Sequence, residues 1–396
     1  MILAAALVPV AILLIVLLVE RLRLPIFLAI MAAVVAYGMA ADMTFHSIGK
    51  AFGLGFVQTL EQTGLLVIAG ALAAKLLARA PLGTAGAVVG GAVAGLGASA
   101  AGGLALLQPI AAGAQRRAVG LVLILLAAQA LIPPSPLAVA ASSVMKIEPT
   151  GTLAVAIPAA LAAAAIGWLL AARLLDDSGP RGEPSWTLIA IAIPVALLVT
   201  LAIAQMPTEP LGKGGAREFH MGIASGLMLS VLAIALALAV TRSWPSPVLA
   251  DTSWAPLLLA VGAAGGLARV LDETGMADLI AEQMMRPELG LAAPFLAAAT
   301  VKTLQGNSLS AVLTASGMTE PMLPALGLDS TTGRTLAAAA AGAGSIAVTH
   351  LNDPLFWIAA YVSGLSIRRA LLAVSLGSAA IAVTALAFLL IVRLLV

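Results

Sequence analysis

The sequence predicts an all-α polytopic membrane protein built from two halves. Hydrophobic residues make up 61% of the 396 residues and charged residues only 10%, whereas soluble domains carry about 25% charged residues. Several apolar runs are longer than the ~18 residues that indicate a bilayer-spanning helix. Polar interruptions, two of them with prolines, recur at matching places in the two halves. We expect inverted repeats whose broken helices or re-entrant hairpins meet near the bilayer midplane.

The two repeats are separated by a polar, turn-rich stretch. The first covers residues 1–175 and the second 186–396, joined by a linker at 176–185 that reads DDSGPRGEPS. Clusters of proline, glycine and charged residues between apolar segments are typical of such connections. The apolar segments predicted in the first repeat are 1–19, 24–41, 52–78, 83–110, 119–144 and 152–175. Those in the second are 186–204, 222–240, 254–270, 289–304, 335–348, 356–362 and 371–396, with a short amphipathic helix at 276–285.

Prolines interrupt the apolar segment 119–144. Pro133, Pro134 and Pro136 surround Ser135, and three prolines in four positions cannot lie inside a helix. We therefore expect two half-length helices with a break between them. An ordinary turn outside the membrane is the alternative interpretation.

Small and polar residues interrupt two other segments of the first repeat. Segment 83–110 is rich in glycine and alanine, with Ser99 near its middle, and small residues permit close packing or a hairpin inside the membrane. Segment 52–78 contains Glu61. This carboxylate either lies at the membrane interface or faces a cavity and takes part in coupling, since intramembrane charges often mark functional sites.

Two polar clusters interrupt the second repeat. The first contains the helix-breaking Gly306, and the second contains Pro354, which also breaks a helix. Polar backbone at membrane depth is tolerated where it lines a cavity. The residues that we predict to bind a substrate in or beside these clusters are Lys302, Gln305, Asn307, Ser308, Thr349 and Asn352, with Ser135 at the break of the first repeat.

Several classes of function are excluded by composition. Because the chain has no cysteine and three histidines, we expect neither a thiolate metal site nor a histidine-rich metal or haem site. No GxxxxGK[ST] motif for ATP is present, and a net charge of +2 gives no nucleic-acid footprint. We expect no metal, no cofactor and no enzyme activity, but transport driven by an ion or substrate gradient. A channel remains a less favoured alternative.

Two stretches of the second repeat carry a family resemblance. LQGNSLSAVLTASGM, followed by AGAGSIAVTHLNDPLFW, resembles the gluconate permease (GntP) family of the ion transporter superfamily. In the first repeat, LIPPSPLAVAA is similar to the family's proline-rich stretch. Lys302 stands where the family has arginine, Ser135 where it has histidine, and Asn307 where it has serine.

The resemblance implies proton symport of gluconate or a related hydroxylated monocarboxylate across a bacterial cytoplasmic (inner) membrane, by a homodimer. Other organic anions, lactate-like or citrate-like, and coupling to Na⁺ remain alternatives. A carboxyl group held away from water can take up and release a proton, and an imidazole titrates near neutrality. We therefore predict that Asp353 and His350 take part in proton coupling.

Overall fold

The computed structural model describes residues 2–65, 67–68, 72, 99–107, 111, 113–133, 135–176 and 254–396. The segments predicted at 186–204 and 222–240, nearly all of the 176–185 linker and Pro134 lie outside the described residues. All regular structure within the described residues is helical. The predicted all-α class is confirmed for this part of the chain.

The chain begins with three helices, α1 (Ile2–Glu20), α2 (Ile26–Ala40) and α3 (Phe45–Thr59). A π-helical turn, Leu60–Gly64, extends α3. The predicted start of the third segment at residue 52 is wrong. The Thr44 side chain accepts a hydrogen bond from the Ser47 N–H at 3.2 Å, so it caps a helix that begins seven residues earlier.

The rest of the described first half contains four helices. They are α4 (Ala100–Leu106), α5 (Gln115–Leu131), α6 (Pro136–Val144) and α7 (Leu153–Leu174). A 3₁₀ turn, Pro149–Thr152, precedes α7. The break between α5 and α6 lies where the prolines predicted it.

The second half begins with α8 (Ala255–Asp272), α9 (Met276–Glu282), α10 (Ala292–Gln305) and α11 (Ser308–Thr319). It continues with α12 (Thr331–Gly344), α13 (Pro354–Ser363), α14 (Ile367–Ala370) and α15 (Leu376–Leu395). A π-helical turn, Leu371–Ser375, joins α14 to α15. Both predicted interruptions are present, between α10 and α11 and between α12 and α13.

Four helical stretches among the described residues are long and apolar enough to cross a bilayer. They are Gln115–Val144, Pro149–Leu174, Ala255–Asp272 and Ile367–Leu395. A continuous helix of this length and composition is stable in hydrocarbon because its backbone groups bond within the helix, whereas Gln115–Val144 includes the break between α5 and α6. The protein is an integral membrane protein.

Glycines bring α3 and α8 into close contact. A Cβ built on Gly265 would lie 1.8 Å from Thr59 Oγ1, and one on Gly55 would lie 2.3 Å from the Gly265 carbonyl oxygen. Small residues of this kind let membrane helices approach at the level of the backbone. Together α3 and α8 form one wall of the cavity described below.

A second pair of glycines positions α12. A Cβ on Gly342 would lie 2.3 Å from the Ala130 carbonyl oxygen near the end of α5, and one on Gly344 would lie 2.2 Å from the Phe295 carbonyl oxygen in α10. The end of α12 therefore lies between helices from both halves of the chain. This packing brings the breaks of the two halves to one place.

Candidate functional site

A cavity of about 470 Å³ lies between the α3–α8 wall and the helix breaks. Its α3–α8 side is polar, with amide, hydroxyl and charged side chains from Gln58, Thr59, Gln62, Thr63, Arg269 and Asp272. Its opposite side consists mainly of the first residues of broken helices. These include Ser99, Ala100, Pro136, Asn307, Ser308, Asp353 and Pro354.

Three helices of eight residues or more begin at this cavity, and each has a side-chain N-cap. Ser135 caps α6 by accepting from the Ala138 N–H at 3.2 Å. Asn307 caps α11 by accepting from the N–H groups of the second and third helical residues at 2.9 and 3.1 Å. Asp353 caps α13 by accepting from the Leu355 N–H at 2.8 Å. Helix N-termini carry partial positive charge and attract anions.

Gln129 connects the break of the first half to α4. Its backbone carbonyl accepts a hydrogen bond from the Ser135 hydroxyl, and its side-chain oxygen accepts one from the Ala100 N–H at 3.1 Å. Ser135 is fully buried, while Gln129 lines the cavity. Pro133 lies within the break and Pro136 begins α6, as predicted for helix-breaking residues.

Gly306 forms the break between α10 and α11. Its φ of +82° is in the left-handed region, which glycine adopts without steric cost. A Cβ here would lie 2.4 Å from the Asn352 carbonyl oxygen. Gln305, on its N-terminal side, accepts a hydrogen bond from the Ser310 hydroxyl at 3.2 Å, and both side chains line the cavity.

A buried ion pair joins this break to the next one. Lys302 is 1% exposed, donates from Nζ to the Gly306 carbonyl at 2.9 Å, and pairs with Asp353 Oδ2. Asp353 lines the cavity and Lys302 does not. Burying two charges is costly unless they are paired and hydrogen-bonded, and both conditions are met here.

His350 and Asn352 attach the α12–α13 break to the end of α10. His350 Nε2 lies 2.7 Å from the Thr303 carbonyl oxygen. A carbonyl only accepts, so Nε2 carries the proton and a neutral ring keeps its lone pair on Nδ1. The Asn352 amide nitrogen donates to the carbonyls of Thr303 and Leu304, at 3.2 Å each. Both side chains are buried and lie outside the cavity lining.

Thr349 lies one residue earlier in the same break. Its N–H donates to Ser378 Oγ at 2.8 Å, and its carbonyl accepts from the Ser375 hydroxyl at 2.7 Å. Its own hydroxyl is buried, as are His350 Nδ1 and Asn352 Oδ1, and none of the three has a protein partner among the described residues. Thr349 also lies outside the cavity lining.

Glu61 lies in the π-helical turn after α3 and is exposed. Its neighbours Gln58, Gln62 and Thr63 line the cavity, but Glu61 does not. Of the predicted substrate-binding residues, Gln305, Asn307 and Ser308 therefore reach the cavity, as does Asp353 among the coupling candidates. The other predicted residues except Glu61 lie behind this surface, where their side chains or backbone groups bond to the segments around the breaks: Ser135, Lys302, Thr349, His350 and Asn352.

Two charged residues at the cavity were not predicted as site residues. Arg269 forms ion pairs with Asp272 at 2.8 Å and with Glu273 at 2.7 Å, and both Arg269 and Asp272 line the cavity. A charged residue near the end of an apolar helix is the signal that could have identified them. The described residues contain no cluster of histidine, cysteine, aspartate or glutamate suited to a metal ion.

Comparison with known proteins identifies the family. Residues 88–395 match the profile of the GntP family permeases. The chain belongs to the GntP permease family. It is accordingly a membrane permease and not an enzyme.

Three relatives show how far the similarity extends. The gluconate permease of Pseudomonas aeruginosa is 26% identical over 89% of both chains. The high-affinity gluconate transporter of Escherichia coli is 28% identical over 45% of this GntP permease and 41% of its own length. The gluconate permease of Bacillus subtilis is 26% identical over 52% of this chain and 47% of its own. The alignments with the last two thus cover about half of each protein.

Proposed function

We propose that this permease is a secondary active transporter that carries gluconate, or a related hydroxylated monocarboxylate, into the cell together with a proton. The observation that carries the proposal is the convergence of the α6, α11 and α13 N-termini on one cavity. The partial positive charge at these helix ends suits a carboxylate. The names of the relatives add support for gluconate.

The rest of the cavity suits the hydroxyl groups of a sugar acid. Amide and hydroxyl side chains that both donate and accept hydrogen bonds lie on both sides, among them Gln58, Gln62, Gln129, Gln305 and Ser308. Arg269 is already shared between two carboxylates, so it adds little net charge for a second substrate carboxylate. We therefore favour a monocarboxylate over citrate-like acids.

In this proposal Asn307, Ser308 and Gln305 contact the substrate directly. Ser135, Lys302, Thr349 and Asn352 support them from behind, through the hydrogen bonds and the ion pair described above. We assign the supporting role to these four residues because their side chains are buried and lie outside the cavity lining.

Proton coupling follows from the charges around Asp353. A substrate carboxylate at the helix N-termini would lie beside the Asp353 carboxylate, and like charges at close range favour the binding of a proton. His350 lies three residues before Asp353, and the Nδ1 lone pair of its neutral ring could also accept a proton. By linkage, a bound proton then strengthens substrate binding by the same factor. Glu61 is a weaker candidate, since it does not line the cavity.

The two halves, 1–175 and 186–396, are proposed to be inverted repeats. One observation supports this proposal. The N-cap Ser135 is followed by Pro136 at the start of α6, and the N-cap Asp353 is followed by Pro354 at the start of α13. The polar caps Ser99 and Asn307 begin α4 and α11 in the same order along the chain. A homodimer in the cytoplasmic (inner) membrane is proposed from the family resemblance.

Uptake into proteoliposomes tests the proposal. Adding gluconate should drive proton influx, and an inward proton gradient should accumulate labelled gluconate. Influx with a different organic acid alone would reassign the substrate. No influx with any acid, while a ligand accumulates under a sodium gradient, would overturn the proton coupling.

The Asp353→Asn variant tests the coupling residue. Without a titratable carboxyl group, we expect uptake that no longer responds to the pH gradient. Downhill exchange of labelled gluconate should persist in the variant and serves as the control for folding. Unchanged proton dependence would contradict the role given to Asp353.

A further inference from the structure

The Lys302 ammonium lies between two oxygen groups of the kind that coordinate cations. Nζ contacts two oxygen groups, the Gly306 carbonyl at the C-terminal end of α10 and the Asp353 carboxylate. In transporters with broken helices, carbonyls at the C-terminal ends of half-helices coordinate the coupling cation. Lys302 is 1% exposed, so a side chain of the protein fills the space between these two oxygen groups.

The role of this ammonium in transport follows from the sum of the charges at the loaded site. Asp353 and a substrate carboxylate together carry two negative charges beside the cavity, and uncompensated charge is expensive at membrane depth. The Lys302 ammonium supplies one positive charge to this balance. A single proton is then sufficient to neutralise the loaded site, and no second cation is needed.

We propose that Lys302 serves as a tethered cation that replaces a bound sodium ion, so that transport is independent of Na⁺. This inference rests on the proposed transport function and adds the role of the lysine to it. Lys302 is a positioning residue here, since it contacts Asp353 and the Gly306 carbonyl rather than the substrate.

The first test uses the unaltered protein in proteoliposomes. With the pH equal on both sides, an inward Na⁺ gradient should change the initial rate of gluconate uptake by less than about twofold relative to the same gradient of K⁺. Uptake stimulated by Na⁺ would overturn the tethered-cation role while leaving the permease function intact. If no organic acid is taken up under any gradient, it is the proposed function that fails.

The second test does not depend on the substrate. Lys302→Ala removes the ammonium and leaves the oxygen groups of Gly306 and Asp353 unpaired. We expect its Tm in detergent to be higher in NaCl than in choline chloride at equal ionic strength, by about 2 °C or more, because an ion that binds only the folded state stabilises it.

Two matched variants complete this test. Lys302→Met fills the same space without a charge, and Lys302→Ala combined with Asp353→Asn removes the anionic ligand. Neither should show a Tm that responds to Na⁺. A Lys302→Ala Tm that is equal in both salts, or an equal Na⁺ response in all three variants, would overturn the inference.

Discussion

At the scale of single residues, the cavity depends on a backbone conformation at Gly306. Its φ is +82°, and a Cβ would lie 2.4 Å from the Asn352 carbonyl oxygen. We expect Gly306→Ala to lower the free energy of unfolding by about 2–4 kcal/mol, from backbone strain plus the clash. It should also abolish uptake, because the α11 N-terminus would shift. Thermal unfolding and uptake assays measure the two effects.

Gly364 provides the matched control. Its φ is +68°, but a Cβ there would meet no atom within 4 Å. Gly364→Ala should cost only the backbone strain, about 1 kcal/mol, and should leave uptake unchanged. Equal losses in the two variants would show that the contact with Asn352 is unimportant.

At the scale of elements, the proposed substrate site is formed by helix N-termini. Asn307→Ala removes the cap of α11, which should cost about 1 kcal/mol of stability. It should also weaken substrate binding several-fold, since the cap fixes the first turn of α11, which lines the cavity. Titration of substrate binding to the purified protein would measure this loss.

An N-cap outside the cavity lining provides a control that distinguishes loss of helix stability from loss of substrate binding. Ser330 caps α12 by accepting from the Gly333 N–H at 3.0 Å, and it does not line the cavity. Ser330→Ala should lose about as much stability as Asn307→Ala with unchanged substrate affinity. Equal affinity losses would mean that helix stability alone explains the effect.

The elements that the sequence predicts best are those with local causes. Pro136 and Pro354 each begin a helix after a break, because proline excludes the preceding residue from helix and fits the first turn. Gln129 and Arg269 were not predicted as site residues, since packing of distant segments places them at the cavity. The start of α3 at Phe45 was missed because its Thr44 cap lies in a polar stretch.

A second limit of prediction from sequence concerns the roles of buried side chains. The sequence singles out Lys302, His350 and Asn352 as polar residues at depth, but it does not show which ones reach a cavity. Their hydrogen bonds go to carbonyls at the end of α10 and to Asp353. Such partners are set by tertiary contacts between helices far apart in the chain.

At the scale of the whole molecule, the cavity separates two sets of packed helices. One wall is α3 with α8, held by backbone contact at Gly55 and Gly265. The other is made of the broken helices from both halves. Beside the cavity α8 also packs against α10 and α13 of the broken-helix set, so the two sets are in direct contact.

The absence of cysteine from the chain allows this arrangement to be tested with single introduced thiols. Gln58 and Val57 are neighbours on α3, but Gln58 lines the cavity whereas Val57 is 63% exposed on the apolar surface. Gln58→Cys should react with a membrane-impermeant maleimide in proteoliposomes. Gluconate at ten times its Kd should slow this labelling about tenfold, in proportion to the occupied fraction.

Val57→Cys provides the comparison for that experiment. A thiol that faces lipid stays protonated and away from the aqueous reagent, so labelling should be slow and unaffected by gluconate. Equal labelling at both positions would place Val57 in water and contradict the expectation that this residue faces lipid. Rapid labelling of Gln58→Cys without protection would place the substrate elsewhere, since a ligand in a cavity of about 470 Å³ would cover this side chain.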